Sequence, residues 1–572
     1  MAIEIIQSLM SIIPENLYIL FEIGSMLIIA AILAFIVRLF KQPLIPAYII
    51  TGIILGPLVF GIIENEHLIT SLSEIGVAFL IFSAGMEINF KKLKEVGKAA
   101  TFGGILGVAI LFATAFFIAI WLGLTGQAPI YVGLVVAFSS TMVVLKILAD
   151  KKELNSLHGR LIIGILLIQD VAAIIALTIL GTDFSLNSVL LALGKAVIFV
   201  IIALILSKVS NPIFRKAASY PELLLLVSIS FLFLFVIGAF LAELSLIIGA
   251  FFAGVALANS DYKTEIEGKI RPIRDFFAVI FFVALGMQLR LISQESLILL
   301  IILFGLVILL KPLVIMILIR IFGYKKRTSF LTGNSLAQTS EFSLIIATLG
   351  FGLGHISAEL FSVLILLTIL TMSFTTYLMS YEKRLFSLFS WPLNFFKKIK
   401  SKEEELEYHV KDRKRVILFG CHRMGSLLLK DFEKMKEEVL VVDYDPEIIK
   451  SLINKKIPCI YGDFINGEIL EKVDIKNSEI IISTIPDLED NLLLIKKAKK
   501  INPKVLVFVV AIRIDGAFSL YRAGADYVIL PQVIGGQRGF ELIKKIKKDK
   551  SSLKDIKKEH LSYLKSIHNI LY

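Results

Sequence analysis

The sequence predicts two domains of different class: a polytopic α-helical membrane domain, followed by a cytosolic α/β domain built on a parallel sheet. The chain has 572 residues, of which 56% are hydrophobic, and its mean hydropathy of +0.82 is too high for a water-soluble protein of this length. Residues 17–381 form a series of apolar stretches, many near the roughly 20 residues needed to span a bilayer. Residues 401–572 are charged and mixed, as in a soluble domain.

These shifts in composition divide the chain into a membrane domain (1–385), a linker (386–414), an α/β domain (415–540) and a Lys-rich helical tail (541–572). The membrane domain contains thirteen predicted spans. They lie at residues 17–38, 44–63, 69–87, 100–123, 129–149, 161–181, 187–207, 221–241, 244–259, 274–289, 295–321, 328–351 and 358–380.

The loops between spans alternate in charge. One set carries basic clusters, such as Lys91, Lys92, Lys94 and Lys98, whereas Arg290 is the exception in a set nearly free of Lys and Arg. The positive-inside rule places the basic loops in the cytoplasm. We therefore expect a protein of the cell (plasma) membrane with its N-terminus outside and its soluble domain inside. Because these loops and solvated Lys-rich helices explain much of the net charge of +12, we predict lipid and no nucleic acid as a partner.

The membrane domain contains an internal repeat. "YIITGIILG" (48–56) and "FLIFSAGMEI" (79–88) resemble "SLIIGAFFAG" (245–254) and "IFFVALGMQL" (280–289), about 200 residues later. This offset equals seven spans, an odd number, so the second copy is inverted in the bilayer. Inverted repeats are typical of secondary transporters.

The same offset relates two polar interruptions of apolar spans. "AFSSTMVVL" (137–145) contains Ser140 and Thr141, and "SLAQTSEFSL" (335–344) contains Glu341. Hydroxyl and amide side chains can satisfy backbone groups that a break in a helix frees. We interpret spans five and twelve as broken helices that cross and hold an ion site. The alternative is that the hydroxyls bond back to their own continuous helices.

Asp170 lies near the middle of span six, next to Gln169, where a carboxylate costs roughly 2.5–3.5 kcal/mol on insertion scales. A carboxylate withdrawn from water can hold a proton near neutral pH, and a monovalent cation can compete for its oxygens. Gln169 can add a carbonyl oxygen without charge. We predict a site that exchanges a cation for a proton; the alternative is a structural ion pair or hydrogen bond.

Two other charges remain deep in the spans. Lys311 lies in span eleven, where it is either a counter-charge for the ion site or a structural partner. Glu341 either joins the ion site or only holds helices together. Lys195, in span seven, is assigned no role.

The C-terminal part contains six predicted strands alternating with helices, which indicates a doubly wound, Rossmann-like parallel sheet. The first strand runs into Gly420 and a turn that ends at Gly425, and the second strand ends at Asp443, which is placed to bind a ribose hydroxyl. His422 replaces the middle glycine of the usual fingerprint. This replacement favours a mononucleotide such as AMP over NAD, or it abolishes binding; a purely structural sheet is the other reading.

The combined motifs resemble the monovalent cation:proton antiporter-2 family, and within it the Kef-type potassium:proton antiporters, which end in a cytosolic nucleotide-binding domain. The motifs are "GIILGP" (52–57), "IQDVAA" (168–173), "FFVALGM" (281–287), "LLKPLVIMILIRIFG" (309–323) and "AQTSEFSLI" (337–345). They occur in the family's order, and the resemblance covers residues from about 20 to 540.

The resemblance implies that Gln169 and Asp170 form the ion site, that Lys311 is its partner, and that exchange of potassium for protons is electroneutral. Sodium is the alternative cation, because this chain has Thr339 and Ser340 where Kef proteins tend to have two glycines. The family moves its ion by an elevator and has a dimerising panel, so we expect a homodimer. It implies no enzyme activity and no metal beyond the transported monovalent cation.

The cytosolic domain resembles the regulator-of-potassium-conductance (TrkA-N) module, so the resemblance implies a regulatory nucleotide, AMP or NAD-like. The candidate residues for that nucleotide are Gly420, His422, Arg423, Met424, Gly425, Asp443, Tyr444, Asp463 and Phe464. Glutathione gating, known in some Kef proteins, is not carried over, because its ligands cannot be located on this chain. Two rival classes are less compatible. A potassium channel needs a filter that does not occur here, and a membrane oxidoreductase needs a hydride-acceptor site.

Overall fold

The computed structural model describes residues 17–40, 42–61, 66–87, 97–151, 153–154, 156–182, 184–258, 260–389, 407–408, 415–435, 437–462, 469, 472–548, 553–558 and 560–562. The chain separates into two compact units. The first comprises Met1–Leu154 and His158–Ile399, and the second comprises Asn155–Leu157 and Lys400–Tyr572.

The first unit is helical. Its helices are α1 (Tyr18–Leu39), α2 (Ile45–Leu55), α3 (Glu66–Glu87), α4 (Lys98–Trp121), α5 (Ala128–Ala137), α6 (Thr141–Asp150), α7 (Leu157–Leu180), α8 (Leu186–Val209), α9 (Asn211–Ala217), α10 (Pro221–Leu241), α11 (Leu246–Ala258), α12 (Lys263–Met287), α13 (Gln294–Gly305), α14 (Lys311–Ile321), α15 (Lys326–Ser335), α16 (Glu341–Gly352), α17 (Ala358–Ser380) and α18 (Glu382–Phe389).

Helices occupy every predicted span. Among the described residues, eight helical segments are long and apolar enough to cross a membrane, and α2, α11 and α16 are shorter apolar helices. The total of thirteen spans stays a prediction. The helix of predicted span ten, α12, begins before that span, at Lys263, and continues through Pro272. The charged first turns of α12 concealed its start, since they lack the apolar character that marks a span.

The predicted breaks in spans five and twelve are confirmed. Span five consists of α5 and α6, with residues 138–140 between them, and span twelve consists of α15 and α16, with residues 336–340 between them. Span eleven contains an irregularity that the apolar pattern did not indicate. A π-helical turn, Leu306–Leu310, separates α13 from α14 and ends immediately before Lys311. Such turns frequently mark functional sites.

The two copies of the repeat are joined by glycines. Gly52 of α2 contacts Gly286 of α12 so closely that a Cβ on Gly52 would lie 2.0 Å from the carbonyl oxygen of Val283. Gly85 of α3 contacts Gly254 of α11, where a Cβ on Gly254 would lie 2.1 Å from a backbone oxygen. The first helix of each copy therefore packs against the second helix of the other copy. Small residues permit this close backbone approach in membrane helices.

We expect Gly286→Ala to lower the thermal unfolding temperature in detergent, because its methyl group would lie 2.1 Å from the carbonyl oxygen of Ile49. Overpacking of this kind costs about 1–3 kcal/mol. The matched control is Gly194→Ala in α8, where no atom lies within 4 Å of the added methyl group. An equal melting temperature for Gly286→Ala and the wild type would contradict the close packing of the two copies.

The second unit contains a sheet whose described part has seven strands. They are β1 (Glu407–Tyr408), β2 (Val416–Phe419), β3 (Val439–Asp443), β4 (Cys459–Tyr461), β5 (Ile480–Ser483), β6 (Leu506–Val510) and β7 (Tyr527–Ile529), in the order β1-β4-β3-β2-β5-β6-β7. Phe419 of β2 is in register with Val442 of β3 and Ser483 of β5. The helices of this unit include α19 (Arg423–Lys434), α20 (Pro446–Asn454), α21 (Leu488–Ile501), α22 (Ile514–Arg522) and α23 (Pro531–Lys548).

Strands β2 to β7 are parallel and have the classical doubly wound order, so the predicted six strands are confirmed. Strand β1 was missed, because the sequence analysis assigned its residues to a polar linker. It is a two-residue antiparallel edge strand, in which Glu407 and Tyr408 pair with Ile460 and Cys459. So short a strand has no alternation of apolar and polar residues to reveal it.

Candidate ion site and nucleotide loop

The candidate ion site lies where the two breaks contact each other. The Ser139 hydroxyl donates to the carbonyl oxygen of Leu336 at 3.1 Å, and the Gln338 amide donates to that of Ser140 at 3.3 Å. The hydroxyl of Ser343 donates to the carbonyl oxygen of Val135 at 2.8 Å. Each break therefore satisfies backbone groups that the other exposes, as the hydroxyl and amide residues of the two segments indicated.

Lys311 joins the two breaks. It is fully buried, and its ammonium group donates to the carbonyl oxygens of Val136 at 2.9 Å, Phe138 at 2.7 Å and Gln338 at 2.7 Å. These carbonyls lie at or beyond the ends of α5 and α15, where helices expose unpaired acceptors and a partial negative charge. Of the two roles considered for Lys311, the contacts fit a structural partner of the breaks. Its three hydrogens are directed at backbone oxygens.

Asp170 lies at the other side of the break in span five. The hydroxyl of Thr141, the first residue of α6, contacts both of its oxygens, at 2.9 and 3.2 Å. Asp170 is partly exposed, whereas the neighbouring Gln169 is buried. The Gln169 carbonyl oxygen accepts from the backbone N–H of Ser139 at 3.0 Å, so Gln169 holds the break directly. The carboxylate thus lies at a helix N-terminus, which stabilises negative charge.

Glu341 occupies the corresponding position in the second break. It is the first residue of α16, is 7% exposed, and accepts from the backbone N–H of Met142 at 3.4 Å. Glu341 and Asp170 are close enough to repel each other when both are charged. The N-termini of both second half-helices, α6 and α16, therefore meet a pair of carboxylates, while Lys311 binds the ends of the first half-helices.

Three buried polar atoms of the described residues at the breaks have no hydrogen-bond partner. Within the described ranges, the buried Nε2 of Gln169, Oε1 of Gln338 and Oε2 of Glu341 have no hydrogen-bond partner in the protein. Buried polar atoms are rarely left unpaired without a functional reason or a bound molecule. Two of the three are oxygens, which are the ligand type that alkali cations prefer.

The two residues that replace the glycines of the Kef pattern support the break in span twelve. Ser340 caps α16 by accepting from the backbone N–H of Phe342 at 3.1 Å, with Ser343 completing a capping box. Thr339 bonds Thr371 of α17 through its hydroxyl at 3.2 Å. Side-chain hydrogen bonds thus fix the backbone of this break, whereas two glycines at these positions would permit more backbone conformations.

Ser140 lies at the site, but its hydroxyl caps α6 by accepting from the backbone N–H of Val143 at 3.2 Å. Sequence reasoning missed Ser139 and Gln338, although both lie within the two quoted polar segments. It also missed a second pair of charges. Glu87 at the end of α3 acts electrostatically on Asp170, and Arg274 acts on Glu341. The Arg274 guanidinium is held by the Ser83 hydroxyl at 2.9 Å.

The candidate nucleotide loop follows β2. Gly420 has a φ of +83°, and a Cβ on Gly425 would lie 2.0 Å from the carbonyl oxygen of Gly420. Both glycines are therefore required by the turn. His422 is exposed and stands at the N-cap of α19 without a side-chain capping bond. The His422 side chain therefore does not cap the backbone N–H groups in the first turn of α19, which includes Met424. Helix N-termini that bind anions use such backbone N–H groups.

Asp443, the last residue of β3, hydrogen-bonds to the backbone of this loop. Its two oxygens accept from the backbone N–H groups of Cys421 at 2.6 Å and Asp445 at 2.8 Å. Burial raises the pKa of Asp443 above its usual value, although these hydrogen bonds lower it. Burial and the nearby Asp443 raise the pKa of the Cys421 thiol to about 12, so this cysteine is not a reactive thiolate. Each Asp443 oxygen accepts one of these two hydrogen bonds and keeps a further lone pair.

The remaining candidates are less informative. Tyr444 is half-buried next to Asp443. Asp463 and Phe464 lie outside the described residues, as does the side chain of Arg423. The fit of a nucleotide therefore rests on the two glycines, the α19 terminus and Asp443.

Two broken helices in contact, with Lys311, Asp170 and Glu341 at the breaks, together with a doubly wound α/β domain, are the features of a cation/proton antiporter with a regulatory domain. Sequence comparison agrees: residues 25–380 match the family described as sodium/hydrogen exchanger, transmembrane, and residues 416–531 match the TrkA-N domain. The chain belongs to the sodium/hydrogen exchanger family, as a Kef-type member of its monovalent cation:proton antiporter-2 group. Its relatives are transporters, not enzymes.

Three known proteins illustrate this relationship. The chain is 27% identical to YbaL of Escherichia coli (strain K12), over 88% of this chain and 93% of YbaL. It is 27% identical to the glutathione-regulated potassium-efflux system protein KefC of Cronobacter sakazakii (strain ATCC BAA-894), over 83% of this chain and 77% of KefC. The structure of the sodium proton antiporter MjNhaP1 from Methanocaldococcus jannaschii covers 66% of this chain and 98% of its own, with 16% identity and a TM-score of 0.50, and shows a shared fold.

We expect Lys311→Met to destabilise the membrane unit, because it leaves three buried carbonyl oxygens without their charged donor. Each hydrogen bond to a charged group contributes about 1.5–3 kcal/mol. The measurement is thermal unfolding in detergent.

The control for Lys311 is Lys195→Met. Lys195 forms an ion pair with the exposed Glu243 at 3.0 Å, and such surface pairs contribute about 0–1 kcal/mol. If both variants melt at the wild-type temperature, the central role of Lys311 in the breaks is wrong.

Proposed function

We propose that the protein exchanges potassium for protons across the membrane through a site centred on Asp170. One observation carries this proposal: Asp170 is hydrogen-bonded to the first residue of α6, where the two broken spans meet, and Gln169, Gln338 and Glu341 at the breaks each have an unpaired polar atom. A carboxylate that binds either a proton or a cation, in alternation, couples the two movements. Exchange of one cation for one proton at a single carboxylate is electroneutral.

The neighbouring side chains have separate roles in this proposal. Thr141 orients the carboxylate of Asp170 and can add its hydroxyl oxygen to the cation. Gln169 keeps the break in place through Ser139 and has one further lone pair on its carbonyl oxygen for the cation. Glu341 is a second oxygen donor whose charge, together with Asp170, favours a bound cation.

Transport is proposed to occur by an elevator-type movement. The glycine contacts between α2 and α12 and between α3 and α11 join the two repeat copies into one rigid group, suited to a fixed, dimerising panel. The helices that carry Asp170, Lys311 and the breaks would slide against this panel as one body. We propose a homodimer in the plasma membrane, with the N-terminus outside and the nucleotide-binding domain in the cytoplasm.

The cytosolic domain is proposed to gate transport in response to a nucleotide, AMP or NAD-like. The turn between Gly420 and Gly425 would bring backbone N–H groups to a phosphate, and Asp443 would accept from a ribose hydroxyl. His422 occupies the position of the middle glycine, so its Cβ restricts close approach of a pyrophosphate. This restriction favours a mononucleotide.

The transport proposal is tested with purified protein in proteoliposomes that hold a pH gradient. Added potassium should dissipate the gradient, and Asp170→Asn should reduce the rate to that of protein-free liposomes, because the exchanged charge is lost. An exposed carboxylate provides the control, Asp261→Asn, which should match the wild type. Response to sodium alone would change the selectivity assignment, and wild-type flux in Asp170→Asn would refute the site.

The gating proposal is tested by nucleotide binding to the full-length protein, with a fluorescent AMP analogue competed by AMP and by NAD. We expect Gly425→Ala to weaken binding by about ten-fold or more, since overpacking of about 1–3 kcal/mol at this turn corresponds to such a loss. Gly516→Ala is the control, because its nearest neighbour is 3.7 Å from the added methyl group. Equal affinity of Gly425→Ala and the wild type would show that this loop does not bind the nucleotide.

A further inference from the structure

The helix α18 follows the last span and leads towards the linker between the two units. Its first residue, Glu382, is 9% exposed although it is charged. The reason is an ion pair of 2.9 Å between the carboxylate of Glu382 and the ammonium group of Lys151. Lys151 also donates to the carbonyl oxygen of Met379, at the end of α17, at 2.6 Å.

The apolar side of α18 contacts two further helices. Leu385 and Phe386 pack on a small buried cluster made of Met316, Phe330 and Leu331. The rings of Phe386 and Phe330 meet edge to face, with centroids 5.3 Å apart. Such aromatic pairs contribute specific geometry as well as buried area.

Each contacted residue lies on, or directly after, a helix that leads to the ion site. Lys151 follows the last residue of α6, and the first residue of α6, Thr141, binds Asp170. Met316 lies on α14, whose first residue is Lys311. Phe330 lies on α15, which runs into the break at Gln338. A half-helix of ten residues is about 15 Å long and moves as a rigid rod, so a displacement at its far end reaches the site.

We propose that α18 is a latch that positions the ion site: Glu382 holds the far end of α6, and Phe386 packs against the middle of α14 and α15. Lys151, Glu382 and Phe386 are positioning residues and do not touch the ion. This inference rests on the proposed exchange and gating, since it supplies their mechanical connection within the membrane unit.

The test uses the full-length variants Glu382→Gln, Lys151→Met and Phe386→Ala. Potassium-driven proton flux is measured against potassium concentration in proteoliposomes, with and without AMP. We expect the single variants to raise the KM for potassium roughly five-fold or more, the lower range of typical couplings between distant sites. The variants should also lose any AMP response of the wild type.

The control pair is Lys195 and Glu243, an ion pair of 3.0 Å that involves no residue of the breaks. Lys195→Met and Glu243→Gln should leave the KM for potassium unchanged. Single latch variants with the wild-type KM and AMP response would overturn the inference.

Hydrogen–deuterium exchange provides a second measurement that is independent of the transported ion. Glu382→Gln should accelerate exchange of the backbone amides at 138–145 and 336–343, and Glu243→Gln should not. Unchanged exchange there would overturn the latch even if transport is confirmed. Absence of ion-driven flux in the wild type, with accelerated exchange in Glu382→Gln, would instead refute the proposed function and retain the latch.

Discussion

The membrane unit depends on the ammonium group of one buried lysine. Lys311 donates its three hydrogens to carbonyl oxygens from both breaks, so one charge satisfies acceptors that a broken helix exposes. Removing these oxygens from water without donors would cost free energy at each one. The charge of Lys311 also opposes the negative ends of the first half-helices, while Asp170 and Glu341 lie at the positive ends of the second. The site is therefore an arrangement of charges matched to half-helix dipoles.

The inverted repeat explains how this arrangement is kept in place. Gly52 and Gly286, and Gly85 and Gly254, join each copy of the repeat to the other, so neither copy can be completed alone. These contacts place backbone against backbone and leave little room for sliding between the helices they join. The breaks, by contrast, are held by hydrogen bonds of side chains and of one ammonium group. Close backbone packing at glycines thus fixes the helices of the repeat relative to one another, whereas hydrogen bonds fix the breaks.

The sequence predicted those features that follow from residue type and spacing. The length of the apolar stretches predicted where the spans lie, and the clusters of hydroxyl and amide side chains predicted both breaks. Asp170 was a candidate because it is a carboxylate within an apolar span. The hydrogen-bond partners of these side chains were harder to predict, because they depend on which backbone atoms come close in the folded chain. Lys311 binds backbone carbonyl oxygens, and Ser140 caps α6. The edge strand at Glu407 and Tyr408 and the start of α12 at Lys263 lack a periodic pattern, so only pairing and tertiary packing reveal them.

The break in span twelve contains Thr339 and Ser340, at the two positions where Kef proteins tend to have glycines. Glycine would leave the break in span twelve free to adopt several backbone conformations. Ser340 instead caps α16, and the hydroxyl of Thr339 hydrogen-bonds to that of Thr371 in α17, so side chains fix the backbone of this break. A more rigid break keeps the unpaired oxygens of Gln338 and Glu341 in fixed positions relative to Asp170. In the proposed exchange, selectivity between cations of different radius would depend on the number or the fixed positions of such oxygens, so Thr339 and Ser340 would bear on the choice of ion through this break.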